Sequence, residues 1–94
     1  QRQAVKRERK VFPEVVPMLV VEVKSPSERE SRISRKTALY LAAGVREVWW
    51  VRPEERQVWV HRDDGARVIP ADGTLECPDL LPGFALPLAK LFAD

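Results

Sequence analysis

One cysteine, one histidine and one methionine stand among the 94 residues of this chain, and each scarcity removes a class of chemistry. A lone Cys77 excludes an internal disulfide framework and any cysteine-based zinc cluster. The surrounding "LECPDL" offers no base or cationic neighbour to activate a thiol, so a packed cysteine is expected. A lone His61 cannot form a histidine pair for a borderline metal, and a hard cation prefers oxygen in any case. No apolar run approaches the ~20 residues that cross a bilayer, and no short apolar block with a small-residue cleavage site follows the basic start. A soluble, intracellular, cytoplasmic protein without membrane contact is the expectation. No repeat, linker or low-complexity tract divides the chain, which leaves one small domain over residues 1–94.

Charge is abundant and unevenly placed. The formal net charge is +2 with 32% charged residues. Residues 1–36 hold ten Lys/Arg against five Asp/Glu, whereas residues 37–94 hold six against nine. The basic excess comes from "KRERK", Lys6 to Lys10, and from Arg29, Arg32, Arg35 and Lys36. Such runs are most often solvated faces, and they also suit contact with phosphate. The chain starts at Gln1, which reads as the start of a fragment.

Periodicity orders the elements. Extended sequence after Pro13 and Pro17 leads into a strand from about Leu19 to Lys24, stopped by "SPS". Ser27 and Glu30 have the spacing of a capping box, which predicts a helix from Ser27 with Ile33, Lys36, Thr37, Tyr40 and Leu41 on one stripe and Gly44 at its end. "VREVWWV", Val45 to Val51, predicts a central strand, with Trp49 and Trp50 in the core. "QVWVHR" predicts a returning strand with Val58 and Val60 inward and Gln57, Trp59 and His61 on an outer face; "ARVIP" predicts a fourth. The proline-rich tail predicts extended segments and a short terminal helix. Strand, helix, strand, strand, with the first two strands parallel, specifies an α/β domain.

Within the apolar run "MLVVEVKSP", Met18 to Pro26, Glu22 and Lys24 are two residues apart and so project from one face of the strand, roughly 6–7 Å from each other. Burying such ions costs several kcal/mol each unless partners compensate, so the pair is either harmless at an open strand end or built for use. Ligand crevices in α/β sheets form beyond the carboxyl ends of parallel strands, where this pair lies. A carboxylate there suits Mg²⁺, and a neighbouring lysine suits a water or a phosphate under attack.

The stretch "PMLVVEVKSPSERESRISRKTALYLAAGVREVWWVRP", Pro17 to Pro53, together with "LPGFALPLAKLF", resembles the Uma-type restriction endonuclease family of the PD-(D/E)XK nuclease superfamily. The resemblance implies a restriction-endonuclease-like mixed sheet with a crossover helix, of which this chain is the C-terminal part, and Mg²⁺-dependent cleavage of DNA. It implies Glu22 as the metal-binding acid and catalytic residue, Lys24 as the catalytic lysine, and Lys36 as a contact to the site or to phosphate. Lys36 otherwise snorkels to the rim of its stripe. A second carboxylate is implied from an aspartate upstream of this chain. Family members carry Asp where Met18 and Arg52 stand here; Met18 is expected in the core and Arg52 as a cap of the following turn.

Two further readings stay open beside the endonuclease. One is a noncatalytic DNA-binding or assembly module with a degenerate nuclease site. The other is a homodimeric structural domain associating through the face of Trp59. An unpaired sheet edge also leads us to expect a homo-oligomer.

Overall fold

A computed structural model describes residues 15–93. The first expected strand becomes β1 (Leu19–Val23), one residue shorter than its pattern predicts, followed by α1 (Glu30–Ala42), β2 (Glu47–Arg52), β3 (Gln57–Arg62) and β4 (Gly65–Ile69). These strands form one mixed sheet in the order β1-β2-β3-β4. β1 and β2 are parallel, with Glu22 opposite Trp50, and the later pairs are antiparallel. The proline-rich tail forms a hairpin, β5 (Thr74–Cys77) with β6 (Leu81–Pro87), and a one-turn helix, α2 (Leu88–Leu91). "KRERK" lies outside the described residues.

Alternation along the strands divides the core in two. On one face of the sheet, Ile33 of α1 packs with Val45, Val48 and Trp50, bordered by Val20, Tyr40, Leu41 and Trp59. On the other, Trp49, Val58, Val60 and Ile69 meet Leu75, Cys77 and Leu88 of the hairpin layer. Burying an aliphatic side chain of this kind contributes about 1.5–3 kcal/mol, so both layers are held chiefly by apolar area. Trp49 and Trp50 alternate across β2 and are both buried, as their strand position requires.

The helix begins later than its capping signal predicts. Its N-cap is Arg29, without a side-chain cap, because Ser27 lies in the turn after Pro26 and Glu30 is drawn to another partner. Its end follows the sequence closely. Gly44 takes φ +109°, its N–H donates to Leu41 O at 3.1 Å, and the Val45 N–H donates to Tyr40 O at 3.1 Å, a Schellman closure that a glycine permits without strain. This closure ends α1 at Ala42 and leads directly into β2.

Met18 and Arg52 differ from expectation. Met18 is not in the core but 51% exposed, since it precedes β1 and only its carbonyl is used, accepting from Arg46 and Glu47 N–H. Arg52 does not cap the turn; it is buried and points back under α1. The face carrying Trp59 is not open: its ring is half-buried beneath the Arg52 guanidinium, 4.0 Å from the ring centroid.

Candidate active site

Glu22 is the next-to-last residue of β1 and faces α1, because Val20 of the same face packs into the helix-side core. Across from it, Lys36 and Tyr40 are one helical turn apart and therefore share a face of α1. The Tyr40 hydroxyl donates to Glu22 Oε2, and Lys36 Nζ lies 3.5 Å from Glu22 Oε1. Lys36 also stands 3.8 Å from Glu28 Oε2 and 5.4 Å from the centroid of the Trp50 ring. It thus points along the helix stripe toward Glu22 and Glu28.

Lys24 is placed differently. It shares the face of Glu22, but its Nζ donates to Ser25 O at 3.3 Å. The cation in contact with Glu22 is Lys36 of the helix, not Lys24 just beyond β1.

The helix is aligned over this carboxylate by three anchors. At its start, Arg52 donates to both oxygens of Glu30, at 2.7 and 2.8 Å. In its middle, Trp50 Nε1 donates to Thr37 Oγ1 at 2.8 Å, while that hydroxyl donates to Ile33 O at 2.7 Å. At its last turn, Tyr40 holds Glu22. The hydrogen bond to that carboxylate raises the Tyr40 phenol above its ordinary range, with burial and the negative charge adding to the effect. Tyr40 is therefore a fixed O–H donor near neutral pH.

Glu28 extends the site and escaped the sequence reading. Its carboxylate accepts the Ser25 N–H at 3.4 Å and lies 3.5 Å from Arg32 Nε as well as beside Lys36. A signal was present: Glu28, Arg32 and Lys36 are spaced by four, which aligns an acid and two bases even though Glu28 precedes the helix proper.

A second ionic cluster occupies the opposite end of β2. Glu47, 1% exposed, accepts from Trp49 Nε1 at 2.6 Å, from Arg62 Nε, and from the Cys77 thiol at 3.2 Å. Burial alone would raise the Glu47 carboxyl, but these three donors outweigh it and hold the group below the usual carboxylate range. Burial, then the bond to Glu47, raises the Cys77 thiol. This cluster ties the sheet to the hairpin, with Arg62 bridging onward to Asp79 at 3.2 Å. Cys77 is a packed thiol, as its sequence context suggests.

His61 stands on the helix-side face of β3, opposite Val48, and burial, followed by the charge of Arg52, lowers its pKa. It stands two strands across from β1 and two residues along β3 from Trp59, which pairs with the Trp50 opposite Glu22. The Glu22 carboxylate is the right donor type for a hard cation, but among the described residues no three His, Cys, Asp or Glu side chains gather around one point. Glu22 thus fits as one ligand of such an ion.

The Uma2 family model, described as "Putative restriction endonuclease", matches residues 1–89. Among solved structures, the crystal structure of a putative nuclease belonging to DUF820 from Anabaena variabilis ATCC 29413 has the same fold, with a TM-score of 0.74 and 22% identity. That match covers 84% of this chain and 45% of the Anabaena chain, so this chain spans less than half of that protein's length. No curated protein matches significantly.

Proposed function

The chain belongs to the Uma2 family, and from that premise and the contacts around Glu22 we propose that the protein is a Mg²⁺-dependent DNA endonuclease whose described residues supply one wall of the active site. One observation carries the proposal. A helix lysine and a helix tyrosine converge on a single strand carboxylate at the carboxyl end of a parallel strand, the place where α/β sheets put their chemistry.

In this reading Glu22 is the residue that would hold the ion, with further oxygen ligands from outside the described residues. When bound, such an ion would supply charge stabilisation to a phosphodiester at which a water oxygen bonds to phosphorus and one ester P–O bond breaks. Tyr40 fixes the orientation of the Glu22 carboxylate by donating to one oxygen. Lys36 balances the charge on the other and stands ready to face a phosphate oxygen. Lys24 needs only side-chain rotation away from Ser25 O to bring its ammonium to the same face, where it would orient the attacking water.

The test is nicking of supercoiled plasmid by the intact protein with Mg²⁺. Glu22→Gln and Lys24→Ala are expected to lose cutting by about 10²-fold or more, the scale for removing a charged group from a phosphoryl-transfer site. Parent rates in both variants would overturn the assignment. The position of Lys36 on Glu22, with Lys24 turned away, favours a second reading, a DNA-binding or assembly module in which an ion pair closes the site. That reading predicts duplex binding with no product at any Mg²⁺ concentration.

A further inference from the structure

We infer that the outer face of α1, built on Arg29, Arg32 and Arg35, is a docking surface for the phosphate backbone of duplex DNA, a step that rests on the nuclease reading of the adjacent site. All three arginines are exposed, and Arg32 is 69% exposed at its side chain. Spaced by three, they fall along one side of the helix at intervals of about 4.5 Å, a span of about 9 Å. Serines stand before and between them. Ser25, Ser27 and Ser31, with Glu28, Arg29 and Arg32, line an open depression of about 510 Å³ at the start of this face. Short hydroxyl side chains let a backbone approach closely and add donors for phosphate oxygens.

The face is more than a solvated run of charge because, of its three arginines, only Arg32 has a carboxylate beside it, Glu28. Glu30, the only acid within α1, is committed to the buried Arg52. Glu28 is shared between Arg32 and Lys36, and Glu22 is engaged by Lys36 and Tyr40. Arg29 and Arg35 form no ion pair among the described residues. Three like charges held on one side of a helix repel each other, and a polyanion laid along them removes that repulsion while releasing its counterions. The face is also continuous with the site: Arg32 reaches Glu28, Glu28 reaches Lys36, and Lys36 reaches Glu22. A duplex on the arginines would bring a phosphodiester to the rim where Lys36 and Lys24 stand.

The experiment is anisotropy of a fluorescein-labelled 20-base-pair duplex with the intact protein in EDTA, so that binding is read without cutting. Each phosphate contact contributes about −0.9 to the slope of log affinity against log salt. The triple variant Arg29→Gln/Arg32→Gln/Arg35→Gln is therefore expected to flatten the slope by about 2.7. That means the parent loses about 40-fold more affinity than the variant between 50 and 200 mM salt. The lysine triple should restore the slope, since a point charge suffices for a phosphate, and Arg67→Gln on β4 should leave it at the parent value. A glutamine triple with the parent's slope would overturn the inference, as would displacement of the duplex by an equal charge of poly-glutamate, which would make the occupant an acidic polypeptide. The two readings fail separately. Slope-dependent binding with no nicking in Mg²⁺ defeats the nuclease and keeps the docking face, while nicking with an unaltered slope does the reverse.

Discussion

Arg52 and Glu30 form a two-point ion pair, 2.7 and 2.8 Å, between the last residue of β2 and the first turn of α1, and the two partners differ sharply in burial: side-chain exposure is 4% for Arg52 and 62% for Glu30. The asymmetry decides which deletion hurts more. Removing Glu30 leaves a buried guanidinium short of acceptors, whereas removing Arg52 leaves a carboxylate already in water. Glu30→Ala is expected to cost about 2 kcal/mol and Arg52→Met about 1 kcal/mol, the latter mostly from loss of the stack on Trp59. Urea denaturation of both variants measures the difference, and a larger loss for Arg52→Met would refute the argument.

The same pair has a definite pH dependence. The hydrogen bonds from Arg52, against an opposing contribution from burial, hold the Glu30 carboxyl below its ordinary value. A depressed folded-state pKa means stability that is present above the unfolded carboxylate value and is lost as pH falls through the folded one. The stability gap between parent and Glu30→Gln should therefore close on acidification. Being largely exposed, Glu30 should contribute less in high salt.

Tyr40 is the only tyrosine, so its titration can be followed directly by ultraviolet absorbance. Its phenol should ionise above the ordinary tyrosine range, because ionisation would place a second negative charge beside that of Glu22 and break the bond between them. In Glu22→Gln the titration should move back down. The linked stability is complete below the unfolded tyrosine pKa and is lost as pH rises through the folded one. An unchanged titration in Glu22→Gln would show that Tyr40 and Glu22 are not in contact in solution.

Cys77 should be silent to a maleimide or disulfide reagent in the native protein and reactive only as the domain unfolds. The thiol is 1% exposed, and its pKa is raised by burial and by the bond to Glu47. Labelling across a urea series should track the unfolding curve; rapid labelling without denaturant would contradict the packing of β5 on the sheet.

Trp50 is fully buried with its indole N–H on Thr37, and the threonine shape can be kept while that acceptor is removed. Thr37→Val leaves the N–H unsatisfied and is expected to cost about 1–3 kcal/mol in thermal or urea unfolding. It should also loosen α1 over β1, so any cutting activity should fall along with stability.

Local rules in the chain determined a large part of this molecule. Strict alternation in Gln57–Arg62 marked a strand whose bounds the structure reproduces, the valines and tryptophans of Val45–Val51 marked the central strand, and Gly44 marked the end of the helix. Each of these signals depends on neighbours within a few residues, which is why it could be read in one dimension. The likeness to the Uma-type family, carried by "EVKSPS", Lys36 and Tyr40, was legible for the same reason.

Only the tertiary structure decided which charges meet. The spacing of Glu22 and Lys24 put them on one face but could not rank Lys24 against Lys36 as the partner of the carboxylate. That choice depends on where α1 crosses β1, and Arg52, Trp50 and Tyr40 set the crossing from positions scattered along the chain. Glu30 illustrates the same limit: its spacing from Ser27 promised a local cap, yet a buried arginine 22 residues later offered a two-point bond to its carboxylate. Periodicity assigns a side chain to a face, and long-range electrostatics in a partly buried setting then selects its partner.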